Sequence, residues 1–283
     1  MDAGDLLARC DFPAPGTPVN CAVSGGADSM ALVVLAHAAG LVVTAHHVDH
    51  GLRPASANDA AVIARLTDRL GINLVVHTVK VGDGPNLEAR AREARYGALP
   101  DDAMTAHTAD DQAETVLINL LRGSSARGLA AMRPGARRPL LALRRADTHA
   151  LCRAGQIDIV DDETNRDPRF LRNRVRSELV PLIADISQRD PVPVLVRNAD
   201  LLRDDDDLLE SLAAALDPTD ALALAAAPLP LARRAVRKWL ADPLPPDLAT
   251  IDRVLAVARG EVPGCDVGRG RQMRRSKQRL SLQ

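Results

Sequence analysis

The stretch Val23-Ser24-Gly25-Gly26-Ala27-Asp28-Ser29-Met30 decides the fold. An apolar run, Val19–Val23, precedes it, and a run of small and aliphatic residues, Met30–Ala38, follows it, which predicts a strand that turns directly into a helix. Glycines at such a turn expose backbone N–H groups, and the N-terminus of the helix favours negative charge. The stretch therefore predicts a phosphate-binding loop made of Ser24, Gly25, Gly26, Ala27, Asp28 and Ser29.

Asp28 falls in the first turn of the predicted helix. It can cap that helix, or it can help to hold a metal ion beside phosphates. The stretch differs from the usual P-loop, which needs Gly-x-x-x-x-Gly-Lys-Ser/Thr, and from the dinucleotide fingerprint Gly-x-Gly-x-x-Gly. A tight turn in which the glycines only supply positive φ is the alternative. The serines and the aspartate at these offsets favour a phosphate site.

The composition is typical of a soluble protein with one large or two modest domains. Hydrophobic residues make up 46% of the 283 residues but aromatic residues only 1%, so aliphatic side chains must fill the core. The net charge of −1 argues against wholesale coating of nucleic acid, although six basic residues lie between Arg269 and Arg279. The scattered cysteines and the lack of a leader or a membrane-spanning run predict a cytoplasmic protein without disulfides.

Short apolar runs alternate with helical segments along the first part of the chain. We predict strands at Val19–Val23, Leu41–His47, Asn73–Val79 and Ala103–Ala106, a last strand at 137–141, and helices at Asp28–Ala39, Ser56–Leu70, Leu87–Leu99 and Ala109–Leu121. This pattern predicts an α/β fold with a doubly wound, mostly parallel sheet, which binds ligands at the carboxyl ends of its strands.

Beyond Asp185 the alternation stops. Helical patterns cover much of 194–216, then 229–240 and 247–258, and a basic tail with short strands follows at 267–282. We therefore predict one domain over residues 1–185 and a mainly helical domain over residues 186–283 with a basic C-terminal tail.

The second predicted strand ends in His46-His47-Val48-Asp49-His50. Histidines and aspartate can form a zinc site, but neighbours in an extended segment point to opposite faces and cannot all converge. A polar loop without a role is a second alternative. We expect this edge to meet a nucleotide, with His50 near the base and Asp49 directed at the reacting centre.

Acidic residues crowd the start of the helix predicted at Ala109–Leu121. Thr108 can cap this helix, and the helix dipole favours acids in its first turn. Capping explains one acid but not all of them, and Asp111 and Glu114 share a face. Acids at this end of a sheet suit ammonium binding, Mg²⁺ coordination or general-base work. Asp111 and Glu114 are the stronger candidates, while Asp110 and His107 are weaker ones.

Two arginine-rich helical segments complete the set of candidates. Arg92 and Arg95 lie about one turn apart in the segment 86–96, and Arg172 and Arg176 share a face in the segment 161–176. Either pair can belong to a solvated helix face, with Glu–Arg pairs in the segment 86–96. The alternative for the first pair is that Arg92 or Arg95 neutralises a phosphate or a carboxylate. For the second pair, contact with phosphates of a nucleic acid or of ATP fits better.

Taken together, these motifs resemble the tRNA(Ile)-lysidine synthetase family of the PP-loop ATP pyrophosphatase superfamily, whose fold is similar to that of adenine-nucleotide hydrolases. The matching pieces are SGGADS at 24–29, HHVDHGLR at 46–53, NLEARAREARY at 86–96, TAHTADDQAETVLINLLRGS at 105–124, GLAAM at 128–132 and DETNRDPRFLRNRVR at 162–176.

The resemblance implies ATP-dependent ligation of L-lysine to C2 of the wobble cytidine in a tRNA(Ile) with a CAU anticodon. An adenylated cytidine is the implied intermediate, and pyrophosphate and AMP are released. Residues 1–185 would then be the catalytic domain, and residues 186–283 would bind the tRNA or another substrate. Pyrophosphate would lie on the glycine loop, with Mg²⁺ held by Asp28. Asp49, Asp111 and Glu114 would line the lysine and cytosine site, with Asp111 or a neighbour as the base. Flipping of the cytidine is expected, because an anticodon loop is single-stranded.

Other function classes are weighed against this hypothesis. A tRNA thiolase of the same superfamily would need paired cysteines at the ligand edge, whereas Cys21 is predicted to lie within a strand. A small-molecule amidotransferase would have no RNA to meet the arginines of 166–176. A non-enzymatic RNA-binding module would not need a phosphate loop together with acids. The short C-terminal part leaves the choice of tRNA open, and a homodimer is also left open.

Overall fold

The computed structural model describes residues 3–49, 56–79, 94, 97–160, 167–242 and 244–283. These residues form two compact units, Met1–Ala199 and Asp200–Gln283. His50, Arg92 and Arg95 lie outside the described residues, as does most of the helix predicted at Leu87–Leu99.

A parallel sheet forms the centre of the first unit. Its strands β1 (Pro18–Ala22), β2 (Val42–Asp49) and β3 (Asn73–Thr78) are neighbours in that order. The segment predicted as a fourth strand contributes one parallel bridge, between Met104 and Cys21 of β1. Since β2 and Met104 flank β1 on opposite sides, the winding of the chain reverses at β1. The loop that follows β1 therefore lies at the topological switch point, where open α/β sheets bind their ligands.

Helices α1 (Ala3–Leu7), α2 (Ala27–Ala38) and α3 (Ser56–Leu70) join the sheet in one apolar core. Alternate strand residues such as Cys21, Val43 and Ala45 face this core, as the period of a strand requires. Aliphatic side chains, including Leu32 and Ile63, fill the core, and the partly buried Phe12 packs against it. The strand and helix on either side of the glycine loop are thus anchored by burial.

The other elements named here for the first unit are helices. It comprises α4 (Ala109–Leu121), α5 (Ala126–Leu129), α6 (Arg145–Ala154), α7 (Leu171–Arg174), a π-helical turn (Val175–Leu179), α8 (Val180–Ser187) and the start of α9 (Pro191–Ala214). Apolar residues of α4 pack against Val175, Val180 and Val192. This packing places the arginines of α7 and the π-helical turn beside the acids of α4.

The strand predicted at 137–141 is wrong, because these residues form turns. The Arg138 N–H donates to the Gly135 carbonyl at 2.7 Å, and the Leu143 N–H donates to the Leu140 carbonyl at 2.9 Å. Pro139 has no N–H to give to a sheet. The apolar residues that suggested a strand, such as Leu140, are instead buried by the turns.

The second unit has its own core, which joins helices to a small antiparallel sheet. Its elements after α9 are α10 (Ala221–Ala226), α11 (Leu229–Trp239), α12 (Leu248–Arg259), β4 (Gly264–Asp266), β5 (Gln272–Ser276) and β6 (Arg279–Leu282). The strands lie in the order β4-β5-β6. Among the described helices, none has the length and apolarity that crossing a membrane requires.

Candidate active site

The glycine loop between β1 and α2 is held by its own hydroxyl groups. The Ser24 N–H donates to Ser29 Oγ at 3.1 Å, and Ser29 Oγ donates to the Gly26 carbonyl at 2.9 Å. Gly25 has φ +86°, and a Cβ there would lie 2.6 Å from Val160 Cγ2. Both observations require glycine at this position. The loop is thus shaped before any ligand arrives, and the first N–H groups of α2 have no acceptor within their helix.

Asp28 lies in the first turn of α2, directly after the loop. Thr148 Oγ1 of α6 donates to Asp28 Oδ1, and Arg145 Nε lies 3.6 Å from Asp28 Oδ2. Burial raises the pKa of Asp28, and the nearby Asp111 acts in the same direction, whereas Thr148 and Arg145 act to lower it. The carboxylate is therefore held by α6 rather than used as a simple helix cap.

A group of ion pairs, here called the acid–arginine cluster, lies beside this loop. Its members are Asp28, Asp111, Glu114, Arg145, Arg172 and Arg176. Arg145 is central, because its Nη2 lies 3.0 Å from Asp111 Oδ1 and its Nη1 lies 3.1 Å from Glu114 Oε1. Three carboxylates thus face three guanidinium groups.

Glu114 is the most buried member of the cluster, with only 2% of its surface exposed. Arg176 donates to both of its oxygens, at 2.7 Å to Oε1 and 3.0 Å to Oε2. Arg172 Nε lies 3.5 Å from Glu114 Oε2, and its Nη2 donates to Thr115 Oγ1 at 3.0 Å. The alternative of a solvated helix face is therefore wrong for Arg172 and Arg176.

Asp111 combines helix capping with a place in the cluster. Its Oδ2 accepts from the N–H of Thr108 at 2.9 Å and from the Thr108 hydroxyl at 3.0 Å. Its Oδ1 faces Arg145 and Arg176. Burial acts to raise the pKa of Asp111, but Arg145 and the Thr108 N–H outweigh it, so the pKa is lowered. Asp111 therefore stays ionised at neutral pH.

Asp110 fixes the start of α6 instead of joining the cluster. It accepts from Arg144 Nε at 3.0 Å, from Arg144 Nη2 at 3.1 Å and from the Arg145 N–H at 2.8 Å. Although burial opposes it, this set of hydrogen bonds lowers the pKa of Asp110. The backbone of α6 is thereby held to α4, which directs the Arg145 side chain towards the carboxylates.

Sequence reasoning missed Arg144, Arg145 and Thr148. The only local signal is a pair of arginines at the start of an amphipathic helix. Their acidic partners lie more than thirty residues away, on elements that only tertiary packing brings together.

The histidines at the end of β2 have separate surroundings. His46 Nδ1 lies 2.9 Å from His77 Nε2, and its Nε2 lies 3.0 Å from Asn20 Oδ1. His47 Nδ1 lies 2.9 Å from the Val23 carbonyl, which can only accept, so this nitrogen carries the proton. Asp49 is the last residue of β2. Over the described part of the chain, three or more His, Cys, Asp or Glu side chains do not gather as a metal site would require.

His107 is the remaining candidate beside α4. It lies directly before the N-cap of that helix, and its Nδ1 is 2.8 Å from Thr105 Oγ1.

Two cysteines of the first unit are buried. Burial raises the pKa of Cys21 to about 12 and that of Cys152 to about 11. Both thiols are therefore protonated at neutral pH and do not suit thiolate chemistry.

The fold, the glycine loop at the switch point and the acids beside it define a class of protein. The family model for the PP-loop domain matches residues 8–183, so the first unit is a PP-loop domain. A solved U34-tRNA thiolase from Methanococcus maripaludis shares this fold, with a TM-score of 0.55 and 15% identity over 71% of this chain and 78% of that chain.

Curated relatives narrow the class further. The tRNA(Ile)-lysidine synthase of Nocardia farcinica is 42% identical over 280 residues, which cover 92% of this chain and 88% of that protein. The tRNA(Ile)-lysidine synthase of Gloeobacter violaceus is 40% identical over 256 residues, covering 80% and 77%. This chain belongs to the tRNA(Ile)-lysidine synthase family.

Proposed function

We propose that this chain ligates L-lysine to C2 of the wobble cytidine of a CAU-anticodon tRNA(Ile), using ATP and releasing AMP and pyrophosphate. The observation that supports this most is the acid–arginine cluster beside the glycine loop. An anion site formed by helix N–H groups there adjoins buried carboxylates suited to an ammonium group. Membership of the lysidine synthase family supports the same reaction.

In the first step, the cytosine O2 attacks the α-phosphorus of ATP and pyrophosphate leaves. The backbone N–H groups of residues 25–29 and the Ser24 hydroxyl hold the leaving phosphates, where the dipole of α2 favours their charge. Because the Val160 N–H donates to the Gly25 carbonyl at 2.9 Å and holds the loop in place, these donors need no rearrangement as charge develops.

The residues present fit one Mg²⁺ ion bound mainly by phosphates. Mg²⁺ is commonly held by one or two carboxylates together with substrate phosphates, and Asp28 supplies a carboxylate directly after the loop. Thr148 orients this carboxylate through Oδ1. When bound, the ion would neutralise charge on the phosphates.

In the second step, the ε-amine of lysine attacks C2 and AMP leaves with the former O2. Asp111 and Glu114 bind the ε-ammonium group before it loses its proton. The lowered pKa of Asp111 makes it a good ligand for a cation but a weak base. Asp111 therefore positions the lysine, and another group, such as Asp49 or His107, accepts the proton.

The second unit and the arginines complete the proposal. Arg172 and Arg176 are about one-third exposed, so they can reach an RNA phosphate from within the cluster. The basic strands of the second unit supply further phosphate contacts. Since tRNA, ATP and free lysine are all found in the cytoplasm, the proposal also places the protein there.

The test is incubation of the protein with ATP, Mg²⁺, labelled lysine and tRNA(Ile) carrying a CAU anticodon. Label retained on the tRNA only when ATP is present is the expected result. A tRNA with its wobble cytidine replaced by uridine is the control and should stay unlabelled. Formation of AMP without label on the tRNA would point to a different nucleophile and overturn the proposal.

A further inference from the structure

The position of Arg145 suggests an order of binding that the reaction itself does not require. We propose that Arg145 occupies the lysine-binding carboxylates until a nucleotide triphosphate draws its guanidinium group away, so that lysine binds tightly only after ATP. This inference rests on the proposed function. It concerns a positioning role of one side chain, which acts through Asp111 and Glu114.

The guanidinium group of Arg145 reaches across the whole site. Its Nη2, Nη1 and Nε face Asp111 at 3.0 Å, Glu114 at 3.1 Å and Asp28 at 3.6 Å, respectively. Each nitrogen of Arg145 is thus directed at a different carboxylate. The side chain is also largely buried, which strengthens these attractions relative to those at a surface.

The acid–arginine cluster is already balanced in charge. Three carboxylates and three guanidinium groups balance, so a lysine ε-ammonium group would bring an uncompensated positive charge. The oxygens it needs are also occupied, because Glu114 Oε1 accepts from both Arg145 and Arg176. A buried and unbalanced charge is costly. Lysine alone should therefore bind weakly.

The Arg145 side chain lies close enough to the glycine loop to move towards a phosphate bound there. Its weakest partner, Asp28, lies in the first turn of α2, directly after the glycine loop. A phosphate on that loop would offer a charge-assisted, bidentate contact of the kind that arginine favours. Asp110 accepts from the Arg144 side chain and from the Arg145 backbone N–H, so the Arg145 side chain can swing while the start of the helix stays in place. The move releases Asp111 and Glu114 for the ammonium group.

The test is equilibrium binding of labelled lysine to the full chain without tRNA. The α,β-methylene analogue of ATP with Mg²⁺ serves as the nucleotide, because its α–β bridge cannot be cleaved. We expect the wild type to bind lysine about tenfold more tightly with the analogue, within the range usual for coupled sites. In Arg145→Met, lysine should bind equally well with and without the analogue.

A matched control is Arg174→Met, because Arg174 lies between Arg172 and Arg176 in sequence but pairs with the exposed Glu178. This variant should keep the wild-type coupling. The reciprocal measurement needs no variant, since lysine must tighten binding of the analogue by the same factor. This measurement keeps the inference testable if Arg145→Met does not fold.

Three results would overturn the inference. One is wild-type lysine affinity that the analogue leaves unchanged, and another is coupling that persists in Arg145→Met. The third is loss of lysine binding in Arg145→Met under both conditions, which would mean that Arg145 only supports the carboxylates. If the wild type ligates lysine to tRNA yet shows no coupling, the inference fails and the function stands. If lysine neither binds nor labels tRNA, both fail.

Discussion

The two oxygens of the Asp111 carboxylate have separate tasks. Oδ2 accepts two hydrogen bonds from Thr108, and Oδ1 faces Arg145 and Arg176. Because the cap already fixes the side chain, little rotamer freedom is left to lose when a cation binds. Helix capping and substrate binding, which the sequence presents as alternatives, are thus compatible in one residue. Capping prepares the carboxylate for binding.

At the same scale, substitutions of Asp28 and of Glu114 should impair different steps of the reaction. Asp28→Ala should abolish release of pyrophosphate, because it removes the carboxylate beside the phosphate loop. Glu114→Gln should allow adenylation, seen as pyrophosphate release with tRNA, but slow lysine transfer by about 10²-fold, a usual loss when one electrostatic partner is removed. The two steps are measured separately, as pyrophosphate formed and as label on tRNA.

Glu178→Gln is the control for this division, since Glu178 is an exposed acid that pairs with Arg174. It should leave both steps unchanged. Glu114 is buried, so the folded fraction of each variant is measured by thermal unfolding and used to normalise the rates. Equal loss of both steps in Glu114→Gln would contradict the assigned roles.

At the scale of elements, sequence patterns predict a helix or strand correctly where interactions within that segment determine it. The bounds predicted for α3 and α4 agree with the structure, because the apolar periodicity lies within each helix and Thr108 caps α4. The strand predicted at 137–141 fails because turn hydrogen bonds around Pro139 replace a ladder. Arg145 could not be assigned from sequence, since its partners come from α2 and α4 through packing of α6. Asp49, His107 and the other predicted site residues stay predictions about function.

The contact between β2 and β3 at His46 predicts a dependence of stability on pH. Burial and the neighbouring His77 lower the pKa of His46, although Asp102 acts in the opposite direction. The unfolded chain, with an ordinary pKa of about 6.5, therefore binds more protons than the folded protein below that pH. The contribution of His46 is complete above about pH 6.5 and is lost as the pH falls through the folded-state pKa.

We therefore expect the free energy of unfolding to fall between pH 7 and pH 5.5 with a smaller slope in His46→Gln than in the wild type. The two slopes should differ by less than about 1.4 kcal/mol per pH unit, the limit set by one proton. Urea unfolding at several pH values gives this comparison. His37→Gln, at an exposed position near the end of α2, is the control for loss of a histidine. Identical slopes in His46→Gln and the wild type would contradict the argument.

At the scale of the whole molecule, a net charge of −1 conceals separated charges. The first unit holds the acid–arginine cluster with balanced signs, whereas basic residues concentrate on the small sheet of the second unit. In β5, Met273 is fully buried in the core of that unit, so Arg274 points to the opposite, solvent-facing side. This alternation presents positive charge outward, as a surface for RNA phosphates requires.

The double variant Arg274→Gln with Lys277→Gln should therefore weaken tRNA binding without changing the KM for ATP or lysine. Both side chains are exposed, on β5 and in the turn after it. The slope of log K against log salt concentration should fall by roughly 0.7 to 0.9 for each RNA phosphate that the variant no longer neutralises. Filter binding of tRNA at several salt concentrations measures this slope.

Arg259→Gln is the matched control, because Arg259 is also exposed in the second unit but pairs with Glu261. It removes one positive charge from the same unit, so a general effect of net charge would appear in it as well. A salt slope that falls in the double variant but not in Arg259→Gln would assign tRNA binding to the basic strands. A slope unchanged in the double variant would show that tRNA phosphates contact other arginines, and Arg172 and Arg176 would then be the first to examine.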